Sequence, residues 1–459
     1  MKIKLILAAS PDDPLRKNDP FMPLSLPLLA AAAPGHEYAL VDLLWESDVR
    51  FDEPVDLVGI SARHSAEPTA YAIADRFRSR GVPVVLGGPQ VSAVPLEAAA
   101  HADAVAVGEG EPLWPLIVAD AAAGDLRRFY VCSPEPFDAG GRPLRQVFDY
   151  PDLQNLPVPR RDLLRRRYTF DTLFASRGCP MDCDFCSVPR LFGTRLRLRP
   201  VEQVVAEIDT FRNYYYLIDD TVFGRPSTYD YYLRLYAAVA KLKKRRYWTG
   251  QANLDAAADP KGRDVIRAAA ACGLLYAAVG MESVDPAVLE TSGAIRKTGA
   301  KDPARVLDAM RENIRFIQEQ GIVVSGWFVV GYEQDTVETF GAIGRFCREM
   351  NVLPVVFPVF ALHGTRLYER MEREGRLADV GYSNIRHPSL ATPAVVAAMD
   401  ALKRREYSLR RNLSRTRFYR RFFRDDVIHR TIFTFVTQTK INAGLNVACE
   451  AMRGRAPIG

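Results

Sequence analysis

Residues 177–190 read RGCPMDCDFCSVPR and set Cys179, Cys183 and Cys186 in a C-x-x-x-C-x-x-C spacing. The chain holds seven cysteines in 459 residues. Random placement at that frequency yields one such fixed pattern roughly 0.002 times per chain. The cluster therefore needs a chemical reason. Buried structural cysteines seldom come as a close triplet flanked by Gly, Pro and Asp. Structural zinc wants four nitrogen or sulfur ligands. The nearest histidines are His101 and His363 and the nearest other thiol is Cys132, so a zinc site needs a distant ligand brought in by the fold. A [4Fe–4S] cube suits three thiolates better: they hold three irons and leave the fourth open to a small molecule. An open coordination position marks a catalytic centre rather than a structural one.

Outward from this loop the chain alternates short apolar runs with amphipathic stretches. Strand candidates are TLFASRG (172–178), YYYLIDD (214–220), YWTGQANL (247–254), LLYAAVGME (274–282), IVVSGWFVVG (322–331) and LPVVFPVFAL (353–362). PARVLDAMRENIRFIQEQG (303–321) is a typical amphipathic separator. Six β/α units predict a partial (β/α)6 TIM barrel over 168–382. Its reactive face is the carboxyl end of the strands, and the cysteine loop follows the first of them.

Upstream, IKLILAAS (3–10), YALVDLL (38–44), VDLVGIS (55–61), VPVVLGG (82–88) and ADAVAVGEG (102–110) alternate with segments such as PTAYAIADRFRSRG (68–81). Five such strands with crossover helices predict an α/β, doubly wound parallel sheet over 1–125, the second-to-third connection being too short for a helix. Ligands of such sheets bind at the carboxyl ends of the strands, which here carry Ser10-Pro11, Ser61-Ala62-Arg63-His64, Gly87-Gly88-Pro89 and Gly108-Glu109-Gly110. Residues 126–167, with CSPEPFDAGGRP and LQNLPVPRRDLLRRRY, are turn-rich and read as a linker. Residues 383–459 lack strand runs and read as a helical basic region.

Composition narrows the classes. Hydrophobic residues make up 48% and charged residues 25%, as in folded soluble proteins. No apolar run is long enough for a membrane span, and MKIKLILAASPDDP reads as a first strand rather than a signal peptide. An odd number of mostly dispersed cysteines argues against a disulfide framework and for a reducing, cytoplasmic setting. The formal charge is +6, but residues 401–430 alone hold eleven Lys/Arg against three Asp/Glu. The basic balance thus belongs to one segment, which makes a nucleic-acid role for the whole chain unlikely.

Cys179, Cys183, Phe185 and Cys186 together form C-x-x-x-C-x-φ-C, and on these residues the sequence resembles the radical S-adenosylmethionine (SAM) superfamily over residues 150–380. The resemblance implies that the methionine amino and carboxylate groups of SAM chelate the open iron. One electron from the reduced cluster then splits the sulfonium, and a 5′-deoxyadenosyl radical takes a hydrogen from a small-molecule substrate. An external reductant such as flavodoxin or ferredoxin is implied. Phe185 would lie against the adenine, and the GWFVVGYEQDT segment with Gly331 would pack nearby, unless Gly331 is only a turn residue. Asp219 or Asp220 would accept from the SAM amino group, the other reading being a helix-capping pair. Gln251, Asn253 and Glu282 stand at strand ends as further ligand contacts. HGTRLYERMEREGRL (363–377) resembles a segment usually written P-G-T, with His363 replacing the proline.

A doubly wound domain before such a barrel, with GGPQVSAVP and VGEGE at its strand ends, resembles the cobalamin-binding subgroup, the class B-like radical SAM methyltransferases and relatives. In that subgroup the N-terminal Rossmann-like domain presents the corrin. Gly87, Gly88, Gly108 and Gly110 would permit close backbone approach to a large flat ligand. The signature D-x-H-x-x-G is absent, so a histidine ligand to cobalt is not supported, and the short connection after Asp42 is a second departure. The alternative is a scaffold or dimer surface without corrin. With cobalamin the implied chemistry is methylation of an unactivated carbon: the substrate radical takes a methyl group from methylcobalamin, and a second SAM remethylates the cobalt. Rival readings are a radical cyclisation, oxidation or rearrangement, and a metal-stabilised protein that binds nucleic acid or lipid.

In 401–430, Leu402, Leu409 and Leu413 share helical spacing, and Phe418, Phe422 and Phe423 interleave with Arg417, Arg420, Arg421 and Arg424. Such a segment can lie peripherally on an anionic membrane, grip an anionic substrate, or form a solvated face. Arg160, Arg161, Arg165, Arg166 and Arg167 carry the same ambiguity. Apolar strand ends such as FPVFAL fit a hydrophobic substrate or plain core packing. Cys132, Cys272, Cys347 and Cys449 read as ordinary buried residues.

Overall fold

The computed structural model describes residues 1–13, 15–132 and 150–455. The chain divides into two compact units and passes between them more than once. The first takes Met1–Thr172, Ser176–Gly178 and Ser187–Pro200, and the second takes Leu173–Ala175, Cys179–Cys186 and Val201–Gly459.

The first unit is built on six parallel strands: β1 (Lys2–Leu7), β2 (Glu37–Asp42), β3 (Leu57–Ser61), β4 (Val84–Gly87), β5 (Ala104–Gly108) and β6 (Phe129–Cys132), in the order β2-β1-β3-β4-β5-β6. Period-two alternation feeds two cores. Ile6, Val58, Ile60, Leu86 and Val105 pack with the helix Glu67–Arg78 on one face. Leu5, Leu57 and Val85 pack with the helices Ser25–Ala32 and Trp114–Ala123 on the other. Helices on both faces make the sheet doubly wound, and the order reverses between β1 and β3.

The connection from β2 to β3 carries no helix, as its length predicts. Lys4 pins it instead: the buried ammonium donates to the carbonyls of Val49 and Arg50, each at 2.8 Å, and pairs with Glu53 at 3.0 Å. Strand β6 is a sixth member where the sequence reading counts five. Its four residues follow Arg127-Arg128 and are too short to stand out by periodicity. Of the turn-rich stretch CSPEPFDAGGRP, everything after Cys132 lies outside the described residues. Arg160 pairs with Asp162, Arg161 donates to the Thr172 carbonyl, and Arg166 stacks 3.3 Å over the Trp45 ring. Three of the five clustered arginines thus serve local structure.

The second six-stranded sheet holds β7 (Asp171–Leu173), β10 (Tyr214–Leu217), β11 (Tyr247–Ala252), β12 (Leu274–Glu282), β13 (Val323–Val330) and β14 (Leu353–Pro358), in the order β14-β13-β12-β11-β10-β7. Each strand neighbours the next in sequence, and the β10-to-β14 pairings are parallel, the arrangement of an open barrel. One difference concerns 172–178, read as a single strand. Only Asp171–Leu173 joins the barrel sheet. Ser176–Arg177 (β8) turns away to pair antiparallel with Arg197–Leu198 (β9). The break occurs because the Ala175 N–H donates to Asp219 Oδ1 rather than to a strand. Three helices, Thr392–Glu406, Leu409–Arg420 and Val427–Arg455, complete the chain.

Within the first unit, Glu109 and Glu111 at the end of β5 meet two arginines of the β8–β9 hairpin. Glu109 pairs with both Arg177 and Arg197, and Arg177 also donates to Glu111 at 2.5 Å. Burial opposes ionisation of Glu111, but Arg177 and Arg197 override it and hold its carboxyl below the ordinary 4.5. A depressed acid contributes stability above its unfolded value and loses it as pH falls through the folded one. Glu111→Gln should therefore lower stability near pH 7 by about 3–5 kcal/mol, because it leaves buried cationic charge uncompensated. In urea titrations over a pH series, the gap between parent and variant should narrow as pH falls below the ordinary 4.5 and through the lower folded-state value. A gap that stays constant with pH would assign the loss to packing.

Candidate active site

Cys179, Cys183 and Cys186 lie on a loop of the second unit that follows β7. Later segments hold that loop through its middle residue. The Asp184 N–H donates to the Ser292 carbonyl at 3.0 Å, and the Asp184 carbonyl accepts from the Leu367 N–H at 2.9 Å. Its buried carboxylate accepts from the Tyr332 hydroxyl at 2.5 Å and pairs with Arg370 at 3.1 Å. Burial raises the Asp184 carboxyl despite those partners, which pull the other way. Arg366 pairs with Asp182 at 3.0 Å and donates to its carbonyl at 2.6 Å. Gly293 has φ +71°, and a side chain there would meet the Asp182 carbonyl at 2.7 Å. The Cys186 N–H donates to the Cys183 carbonyl, closing a tight turn between two of the thiols.

Cys179 and Cys183 are buried and Cys186 is half-buried. Burial pushes the Cys179 and Cys183 thiols up. The Asp220 charge adds to this at Cys179, while Lys297 and Arg225 oppose it. Lys297 is the strongest cationic neighbour. It hydrogen-bonds Cys183, pairs with Glu282 at 2.6 Å and stands 5.8 Å from the Phe185 ring centre. Burial disfavours its charge, yet Glu282 and the thiols of Cys183 and Cys186 outweigh that and raise it.

The carboxyl ends of the strands bring most of the expected residues together. After β10, Asp219 accepts from the Ala175 N–H and from the Tyr232 hydroxyl, both at 2.7 Å. It braces the break after β7, whereas the half-buried Asp220 is the member whose charge reaches Cys179. At β11, Gln251 is exposed and donates to the Tyr216 hydroxyl at 2.9 Å. Asn253 is buried and its Nδ2 has no partner. Asp255 pairs with Arg225. At the end of β12, Glu282 has φ +60°, in the left-handed region, where the register with β13 shifts. Strain of this kind persists only where surrounding contacts enforce it, and here the Lys297 pair does so. Gly280 leaves room, since a side chain there would come 2.6 Å from Glu282 Oε1. Phe185, half-buried, packs against the apolar cluster that includes Tyr332, Val359 and Leu367. Gly331 has φ +133° and donates its N–H to Asp335, so it shapes the turn after β13. His363 lies against Tyr368, ring centres 4.4 Å apart and tilted by 39°.

Four contributors escaped sequence reasoning: Asp184, Tyr332, Arg225 and Lys297. Lys297 had only a weak signal, a basic pair in the glycine-bounded GAIRKTG (293–299).

Among the described residues no three His, Cys, Asp or Glu side chains converge as ligands of a single ion. The thiols of a cubane site bind three different irons, so they need not converge on one point. Three thiols on one anchored loop, a cation against them and the unpartnered Asn253 donor fit a cluster with a bound polar ligand.

In the first unit the glycine expectation needs correcting. Gly88 (φ +98°) and Gly108 (φ +90°) are demanded by the protein's own backbone: side chains there would come 2.8 Å from Ala62 and 1.9 Å from the Cys132 carbonyl. Gly110 is crowded by Leu29, and Gly87 alone has ordinary space. Even so, the residues closing the central strands are small, with Ala8-Ala9-Ser10, Ser61-Ala62, Gly87-Gly88 and Gly108. They make a ledge of small side chains along the strand ends. A cavity of about 800 Å³ reaches Ala9 and Pro11 beside it and extends to Leu43, Ile73 and Arg76.

An open parallel barrel with an anchored three-thiol loop at its strand ends defines a class of cluster enzyme. Residues 173–343 match the Radical SAM superfamily, and this part of the chain is a radical SAM domain. It is 24% identical over 362 residues to the bacteriochlorophyllide d C-8(2)-methyltransferase of Chlorobaculum tepidum, covering 76% of this chain and 75% of that one. It is 29% identical over 335 residues to the hopanoid C-2 methylase of Rhodopseudomonas palustris, covering 70% of this chain and 58% of the relative. Among solved structures, the cobalamin-dependent radical SAM enzyme OxsB with aqua-cobalamin and SAM bound superposes with a TM-score of 0.69 at 15% identity, over 96% of this chain and 71% of OxsB. The radical SAM methyltransferase TsrM from Kitasatospora setae, with cobalamin and a [4Fe-4S] cluster bound, gives 0.61 at 16% identity, over 82% and 78%. At these identities the structural likeness speaks for the fold.

Tyr332→Phe removes the hydroxyl that satisfies buried Asp184. It should cost about 1.5–3 kcal/mol in urea denaturation, the range for a hydrogen bond to a charged group. Amide exchange at residues 182–186 should accelerate in the variant, while exchange in β12 stays unchanged.

Proposed function

We propose that this chain is a cobalamin-dependent radical SAM C-methyltransferase that methylates an unactivated carbon of an apolar small molecule. The observation that carries the reading is the anchored loop of Cys179, Cys183 and Cys186 beside the Lys297–Glu282 pair at the carboxyl end of the barrel. The three cysteines would hold a [4Fe–4S] cluster, which when bound supplies the electron that splits the SAM sulfonium.

Around it the protein's own groups bind and orient SAM. Lys297 offers a positive charge to the SAM carboxylate, and Asp220 an acceptor to its amino group. Glu282 fixes the Lys297 ammonium, and the Asn253 amide supplies a donor without a partner in the protein. Phe185 gives an apolar face for the adenine. Asp219 is a brace in this scheme and Gln251 lies at the margin. The ledge at Ser61, Ala62, Gly87, Gly88 and Gly108 would hold cobalamin, whose chemistry is to deliver a methyl group to a carbon radical. The small strand ends support that assignment more than the glycine conformations do. Exposed Phe357 against Trp327 of the neighbouring strand, ring centres 5.3 Å apart, favours an apolar substrate. The named relatives act on a bacteriochlorophyllide and a hopanoid. An external one-electron donor, a flavodoxin or ferredoxin, completes the cycle. No disulfide joins the cysteines, which suits a reducing cytoplasm.

Anaerobic protein given iron, sulfide, hydroxocobalamin and reductant should develop a brown chromophore and retain corrin through gel filtration. It should convert SAM to both 5′-deoxyadenosine and S-adenosylhomocysteine when substrate is supplied. Cys179→Ala, Cys183→Ala and Cys186→Ala should each abolish SAM cleavage. Deoxyadenosine without S-adenosylhomocysteine would exclude methyl transfer. Lys297→Met should weaken SAM binding about tenfold to a hundredfold by anaerobic calorimetry, the worth of one charge-assisted hydrogen bond.

A further inference from the structure

Over its first three turns the helix Val427–Arg455 is inside out. Arg430, Thr434 and Gln438 are buried. The Gln438 side-chain oxygen accepts from Arg415 at 2.7 Å and its amide donates to Thr416 at 2.9 Å, while Arg430 pairs with Asp425 at 3.1 Å. The opposite row is aliphatic and open to solvent: Ile428 is 79% exposed, Ile432 58% and Val436 45%. A spacing of four aligns each row on one face, and the two rows lie about half a turn apart. A helix whose packing was complete would carry the reverse pattern.

The preceding helix, Leu409–Arg420, adds exposed Leu409 and Leu413, one turn apart. Arg410, Arg417 and Arg420 of the same helix, and Arg421 just after it, are exposed as well. Arg421 rests on the rings of Phe418 and Phe422, at 4.8 and 5.9 Å.

Charge selects what covers this surface. A second copy would oppose one arginine cluster with another, and like charges across an interface are unfavourable. Nucleic acid matches the arginines but leaves a row of branched aliphatics with nothing to stack on. An anionic bilayer interface takes both, aliphatics into the acyl boundary and guanidiniums onto phosphates. Among the described residues no helix is long and apolar enough to cross a membrane, so the contact is peripheral. We propose that Leu409–Arg420 and Val427–Arg455 seat this chain on an anionic membrane surface through Ile428, Ile432 and Val436, steered by the arginine cluster. The inference is independent of methyl transfer, and its readout needs neither cluster nor corrin.

The test is flotation of the full chain with large vesicles of phosphatidylcholine alone or mixed equally with phosphatidylglycerol, at low and high salt. The parent should float only with the anionic vesicles, less so at high salt. The triple variant Ile428→Ser/Ile432→Ser/Val436→Ser and the pair Arg417→Glu/Arg421→Glu should each lower partitioning about tenfold or more. Circular dichroism checks both, and if the triple variant loses helix the arginine pair decides. No binding to anionic vesicles, equal binding to both compositions, or undiminished binding by the arginine pair would overturn the proposal. So would light scattering that finds a parent dimer which the serine substitutions convert to a monomer.

Discussion

Three thiols drawn from eight consecutive residues can serve a common centre only if their loop cannot relax, and Asp184 enforces that constraint. Its N–H and carbonyl bind segments more than a hundred residues downstream, and its carboxylate is clasped by Tyr332 and Arg370. A buried carboxylate costs desolvation energy, and two polar partners recover only part of it. The arrangement makes sense as positional rather than stabilising chemistry: three later segments of the chain fix where the cysteines stand.

Two buried charge systems divide the labour. Glu109, Glu111, Arg177 and Arg197 are mutually satisfied and fasten the β8–β9 hairpin to the end of β5. Lys297 and Glu282 are also paired, yet they adjoin the thiols, and Glu282 bears left-handed backbone strain at a register shift. Strain and uncompensated potential concentrate where a ligand would relieve them. The first system is closed, and the second is poised.

Periodicity carried most of the fold. The six barrel runs and five of six Rossmann strands are apolar segments bounded by glycine or charge, so local pattern suffices for them. It failed at β6, four residues long, and at 172–178, where a side-chain acceptor 44 positions away, Asp219, captures the Ala175 N–H. The site was legible in the same measure. The cysteines announce themselves by spacing and Glu282 by its strand end, whereas Lys297, Tyr332 and Asp184 matter through contacts with no sequence period. The glycines taught the opposite lesson: a residue type that permits close approach does not say to what, and at Gly88 and Gly108 the answer is the neighbouring backbone.

The C-terminal helices show why composition alone left three readings open. Counting arginines records charge but not which side of a helix it occupies, and in Val427–Arg455 Gln438 of the inward polar row meets Arg415. Arg415 is itself fully buried, drawn in by Glu406 and Gln438. Once it is inside, it needs polar partners, and Gln438 must face it, while Thr434 donates to the Arg430 carbonyl of its own helix. The aliphatic residues of the same helix are then driven outward by geometry, not by chance. Two buried guanidiniums, Arg415 and Arg430, thus leave the aliphatic row outside. A fold would be expected to discard such a row unless something outside the chain covered it.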